Sequence, residues 1–199
     1  SLTALNASEL GSGTVPTARL GSGTASSTTI LYGDQTYKTE PSGGLGVGTL
    51  WGQTTANTTS AYLTANWQQC AQSGVGNFGS AMTESSGVFT FPSTGYWFLT
   101  FKLASNEASG ESTHYVNNRI DITVNDSSYT PLTGGTSHFA SSTQAAIRYS
   151  TAYCSSIFDV TDVSQCKCKF MFEFAGTIEM IGNTVDYPTQ VSFMRLADT

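Results

Sequence analysis

The sequence predicts an all-β protein, an antiparallel sandwich preceded by an extended N-terminal segment. Three observations carry that prediction. After residue 60, about nine segments of strand length are divided by Gly-, Pro-, Asn- and Ser-rich turns. Turns at roughly 8–12-residue intervals suit a sandwich, and no helical pattern separates the strands as parallel crossovers would require. Two segments alternate. Val116, Asn118, Ile120, Ile122 and Val124 share one face of 115–124, and Cys168, Phe170, Phe172 and Phe174 share one face of 167–174. That period of two belongs to a strand with one buried face. Finally, only 11% of residues are charged, against roughly 25% in an average globular protein. Polarity comes instead from Ser, Thr, Asn, Gln and Gly, which favour turns and strands over solvated helices.

Taken in order, residues 1–40 carry few large apolar side chains and an internal repeat. Gly11-Ser12-Gly13-Thr14 recurs as Gly21-Ser22-Gly23-Thr24, with Leu10, Leu20 and Ile30 in one register. Ordering each backbone residue costs roughly 1–2 kcal/mol, whereas burying one leucine returns about 1.5–3 kcal/mol. One leucine per ten residues cannot order an isolated strand, so the segment is either a shaft ordered against other chains or a flexible linker. In a symmetric trimer, Leu10, Leu20 and Ile30 would meet on the axis. Residues 41–60 read as a Gly-rich linker. They lack the Gly-Lys-Ser/Thr ending and the following helix of a phosphate-binding loop.

Residues 61–199 form the head. A first strand is expected over 61–69 and a loop over 72–86. The most apolar stretch follows at 87–103, where the core is expected to condense. Two strands, 88–91 and 96–103, flank the corner Pro92-Ser93-Thr94-Gly95. Pro92 cannot donate to a ladder, and Gly95 tolerates a positive φ. Residues 104–113 read as a polar loop and 115–124 as a strand. Further strands are expected at 129–132 (ended by Gly134-Gly135), 145–153, 156–160, 167–174, 177–181 and 191–196. The strands at 96–103 and 167–174 carry apolar groups on both faces. One face of each belongs inside the sandwich, and the other against a sheet edge or a neighbouring subunit, which makes Trp97 and Met171 candidate trimer contacts.

The run Gly87-Val88-Phe89-Thr90-Phe91-Pro92-Ser93-Thr94-Gly95-Tyr96-Trp97-Phe98 resembles the signature of the complement-type globular head, a tumour-necrosis-factor-like jelly roll. Val191-Ser192-Phe193-Met194-Arg195-Leu196 resembles that family's last strand, and Ser155-Ser156-Ile157-Phe158-Asp159-Val160 its strand before the penultimate hairpin. Residues 11–37 resemble the short-repeat leader of bacteriophage fibre-like proteins. The resemblance implies an antiparallel jelly-roll head, a homotrimer and a structural or attachment role in a virion. Other virion proteins would be partners through the N-terminal segment, and a host-surface glycan or protein would be a partner through the head. Gly does not recur every third residue, so the collagen-like stalk of animal members is absent.

The chemistry-bearing residues point away from an enzyme. His114 and His138 are the only histidines, and no nucleophile-elbow pattern surrounds a serine. The carboxylate pairs Glu107/Glu111 and Asp159/Asp162 read as solvated loop acids. No EF-hand spacing exists, although Asp121, Asp126 and Asp186 are candidates for a loop ion. Asn6, Asn57 and Asn125 match the glycan-acceptor pattern. Cys70, Cys154, Cys166 and Cys168 are buried thiols, or include one disulfide from Cys154 to Cys166 or Cys168, or bind zinc. Eight scattered Lys and Arg and a net charge of −6 leave no basic surface for nucleic acid. The apolar runs are too short for membrane insertion. No cofactor is expected. Tyr115, Tyr129, His138, Phe139 and Tyr187 lie near loops and are the candidates for surface recognition. The expectation is a non-enzymatic virion protein. The alternatives are a secreted carbohydrate-binding module and a tailspike-type hydrolase.

Overall fold

The computed structural model describes residues 16–39, 45–107, 114–140 and 147–199. The chain divides into two compact units, Ser1–Gly43 and Gly44–Thr199. In the first, a 3-10 turn, Thr17–Arg19, precedes a hairpin of β1 (Thr29–Leu31) and β2 (Tyr37–Thr39). Over 16–39 the chain therefore doubles back instead of running on as one shaft strand. The cause is local. Gln35 takes φ +60°, and the Asp34 carboxylate accepts the Thr36 N–H at 3.1 Å and the Lys38 ammonium at 2.5 Å, the turn chemistry of a short acidic side chain. Leu20 follows the 3-10 turn while Ile30 sits within β1, so the ten-residue register does not repeat structurally. Leu10 and the first copy of the repeat lie outside the described residues.

The second unit contains β3 (Val47–Gln53), β4 (Ala61–Tyr62), β5 (Trp67–Gln69), β6 (Thr83–Ser85), β7 (Val88–Thr90), β8 (Gly95–Glu107), β9 (His114–Thr123), β10 (Thr130–Phe139), β11 (Arg148–Val160), β12 (Lys167–Ala175), β13 (Ile178–Met180) and β14 (Gln190–Ala197). One sheet has the order β11-β8-β14-β3-β5, with β13 also on β8. The other has the order β10-β9-β12-β7-β6, with β4 also on β12. All these pairings are antiparallel.

The core is aromatic. Trp97, Leu99, Phe101 and Leu103 of β8 face Phe89, Phe170 and Phe172 of the opposite sheet, all fully buried. Phe89, Phe101 and Phe193 each pack on Phe170 at centroid separations of 5.2–5.9 Å, within the range where edge-on rings add to the burial energy. The corner before β8 forms as expected. Gly95 has φ +134°, and its missing side chain leaves room for the Ala197 carbonyl and Arg195. Ser86 and Gly87, with φ +52° and +79°, make the two-residue β6–β7 turn, as a tight hairpin with both central φ positive requires.

Several boundaries differ from expectation. Residues 47–53 are not linker but β3, hydrogen-bonded between β14 and β5. Gly48 and Gly52 act there as seats for the rings of Phe78 and Tyr187, which occupy the space of a side chain. The expected strand 61–69 breaks at Asn66, φ +64°, and its halves β4 and β5 join different sheets. β8 continues to Glu107, through residues expected to be loop. β10 runs through Gly134-Gly135, because Gly135 lies against the Tyr153 backbone where no Cβ fits. Residues 148–160 are one strand of 13 residues, not two. In β9 the alternation slips after Ile120: Asp121 and Thr123 are buried and Val124 is exposed. Beside the slip, the register of β10 shifts between Pro131 and Thr133.

Candidate assembly face

The outward face of the β11-β8-β14-β3 ladder carries a group of exposed apolar side chains. Strand alternation puts Tyr149, Tyr153 and Ile157 of β11 outward, 71%, 55% and 54% exposed, with Tyr96 and Leu196 also exposed. Register aligns them in rows across the strands. Ile157, Phe98, Met194 and Gly48 are successive Cα partners, and Phe78 covers Gly48. This row is apolar across four strands. The next row, Ser155, Thr100, Ser192 and Leu50, is small or uncharged, and Thr100 and Ser192 share a 2.6 Å hydrogen bond between hydroxyls. The third, Tyr153, Lys102, Gln190 and Gly52, ends under the Tyr187 ring. Across these rows Lys102 is the only charge. Asp159 lies beyond the apolar row, paired with Tyr96, and its Oδ1 is buried without a hydrogen-bond partner among the described residues.

The candidates named from sequence do not gather at one place. Tyr115 of β9 and exposed His138 of β10 are ladder partners, beside each other on the second sheet. Tyr129 lies before the other end of β10, where the Lys169 ammonium sits 3.9 Å from its ring centroid. Burial raises the Tyr129 phenol pKa above its ordinary value. Phe139 is a core residue and Tyr187 is buried on Gly52, so neither is free to stack on a ligand. Both sit beside turns in sequence, but the Phe139 ring folds into the core and the Tyr187 ring lies on β3 over Gly52. Among the candidate trimer contacts, Trp97 is fully buried inside its own sandwich. Met171 is half-buried on the opposite sheet, next to Tyr62. Leu20 and Ile30 are exposed on the first unit.

Asp121 is closed to a loop ion. It lies in β9, its carboxylate accepting from Arg119 Nε and Nη2 at 2.6 and 2.8 Å and from the Tyr62 hydroxyl. That acceptor raises the Tyr62 pKa and, paired with Arg119, raises the guanidinium pKa. Glu107 is likewise no solvated loop acid. It is fully buried and accepts from Arg148 Nη2 and His114 Nδ1. Among the described residues, no three His, Cys, Asp or Glu side chains cluster to hold a metal. The four cysteines are free and buried. Burial pushes the Cys70 thiol up to about 11 and Cys154, against a lowering backbone hydrogen bond from Ile120, to about 12, and raises Cys168 further.

The residues of the assembly face that sequence reasoning missed are Tyr149, Tyr153 and Ile157. Their signal was present as a single period-two series, Tyr149, Thr151, Tyr153, Ser155, Ile157. Dividing that stretch into two strands hid the common phase.

No family model and no curated protein matches the sequence. Solved structures do match the fold. Eiger TNF from S. frugiperda superposes with TM-score 0.55 at 11% identity, covering 77% of this chain and 94% of that one. Murine APRIL at pH 8.5 gives TM-score 0.52 at 11% identity, covering 75% and 98%, and murine APRIL at pH 5.0 gives 0.51 over the same shares. The head therefore has the jelly-roll fold of TNF-like proteins.

Proposed function

We propose that the chain is a non-enzymatic structural protein of a bacteriophage particle, a homotrimer whose jelly-roll heads pack through the outward face of the β11-β8-β14-β3 ladder. The residues before the head attach it to other virion proteins, and the head is displayed for contact with a host-surface glycan or protein. The observation that carries the assembly is the apolar row Ile157–Phe98–Met194, flanked by exposed Tyr149 and Tyr153. A contiguous exposed patch of this kind marks an interaction surface, and its near absence of charge matches the depletion of charge at interface cores. The unpartnered Asp159 Oδ1 beside the row supports the same reading, because a neighbouring subunit's donor would satisfy it. The virion role is supported by the resemblance of residues 11–37 to fibre leaders and by the low-charge, Ser/Thr-rich composition.

Light scattering on the full chain tests the assembly. The wild type is expected at a three-chain mass. Ile157→Asp and Tyr153→Asp are expected as monomers with unchanged far-ultraviolet dichroism, since both side chains are solvent-facing in the single chain. A monomeric wild type, or trimers that survive both substitutions, sinks the assembly. Mass spectrometry of purified particles tests the role in the virion, and absence of the chain from them overturns it.

A further inference from the structure

We infer that the cleft beside the β12–β13 crossover is a binding site for one neutral pyranose ring, the terminal sugar of a surface glycan. The inference rests on the recognition part of the function proposed above, and the cleft adjoins the proposed trimer face, since Asn106 is the Cα partner of Tyr149 in the β11–β8 ladder. The cleft has a volume of about 250 Å³ and is lined by Thr58, Asn106, Phe174, Thr177, Ile178 and Glu179.

Its walls combine the two features a sugar ring needs, a flat apolar surface and convergent polar groups. The apolar surface is Phe174, half-buried, its ring backed by Phe172 at 4.8 Å between centroids and 31° between planes. Phe172 is fully buried, so the Phe174 ring that lines the cleft is braced by it. The electron-rich face of such a ring attracts the polarised C–H groups on one side of a pyranose.

The polar groups are unspent. None of the side chains of Thr58, Asn106, Thr177 or Glu179 hydrogen-bonds to another of the described residues, whereas Glu107, next in sequence to Asn106, is bonded on both oxygens. Asn106 and Glu179 are Cα partners in the β8–β13 ladder. Side chains of such a pair stand about 5 Å apart on one face, within reach of adjacent hydroxyls of one ring. The Glu179 carboxylate accepts from hydroxyls, and the Asn106 amide both donates and accepts.

Charge selects the sugar class. Among the described residues, the cleft's lining holds one carboxylate and no cation, and the chain carries a net −6. A uronic or sialic acid would meet repulsion with no compensating partner, so the ligand is neutral.

Saturation-transfer NMR on the full chain decides this. The probes are glucose, galactose, mannose and N-acetylglucosamine, with glucuronate and N-acetylneuraminate as acidic controls. Each is used at about 10 mM, enough to fill even a millimolar site. At least one neutral sugar is expected to show transfer, strongest on the C–H groups of one ring face. Glu179→Ala and Asn106→Ala are each expected to weaken it by roughly tenfold at unchanged melting temperature. Silence from all neutral sugars, equal binding by both variants, or equal transfer to the acidic controls overturns the site. A host-adsorption assay with the full chain as competitor separates this site from the attachment role. Blocked adsorption without sugar binding overturns the site alone. Sugar binding without any block upholds the site and overturns attachment.

Discussion

Glu107 sits at the end of β8 with no solvent exposure, one oxygen facing Arg148 and the other His114. A buried carboxylate is tolerated when both oxygens are satisfied and a cation lies alongside. Removing it strands Arg148, whose side chain is only 14% exposed. Glu107→Ala is expected to lower unfolding stability by about 3–5 kcal/mol, read from the urea midpoint. A loss no larger than that of an exposed control such as Asp186→Ala would refute the pairing. The thiols supply a pH dependence with a definite sign. Cys70 and Cys154 move from an ordinary value of 9.0 to about 11 and 12 in the folded chain. Below pH 9 both states hold the protons and the thiols leave stability unchanged. Between pH 9 and about 12 the unfolded chain releases protons that the folded chain keeps, so stability falls as pH rises. At pH 8 an aromatic disulfide reagent is expected to titrate no cysteine until the protein is unfolded, because the reactive thiolate is suppressed by burial.

At the scale of elements, β3 shows how glycine can build a strand. Rings from two distant loops, Phe78 and Tyr187, lie on Gly48 and Gly52 and close the outward face there. Gly52→Ala drives a methyl group into the Tyr187 ring and is expected to cost about 1–3 kcal/mol in thermal or chemical unfolding. Gly46→Ala, with open space at its Cβ position and no positive φ, is expected to be near neutral. Equal effects at the two positions would remove the ring-seat explanation. The same strand marks where sequence reading stops. β9, β12 and β14 were legible because each largely alternates large apolar with polar side chains, β8 because it is a long aromatic run, and the Pro92–Gly95 corner because its residues permit few other conformations. β3 reads as linker because its packing partners are rings far along the chain. β10 was cut short because Gly135 looks like punctuation until Tyr153 is placed against it. β4 and β5 merged because the bend at Asn66 relies on a positive φ that the residue type allows but does not demand. The candidate site was less legible than the fold. Exposure distinguishes Tyr153 from Phe139, and exposure depends on which strand covers which.

At the scale of the whole molecule, the two outward sheet faces differ in kind. The second carries the Tyr62–Arg119–Asp121 cluster and Lys169 between the rings of Tyr62 and Tyr129, charged groups paired within the chain. The first carries an unanswered apolar row. An assembly held by that row is expected to keep its three-chain mass in light scattering from low salt to about 1 M, since screening weakens exposed charge pairs and leaves apolar contact intact. Dissociation by salt alone would point to a charged interface elsewhere. The order of the first sheet also bears on how the chain is made. β14 lies between β8 and β3, yet it is the last of the described strands in chain order. A growing chain therefore carries β3 with only the three-residue β5 as a ladder partner until 190–197 have left the ribosome. Pairing across such separations is slow and leaves unpaired edges open to other chains in the meantime. The head is in this sense assembled from the outside inward, with its middle strand laid down last.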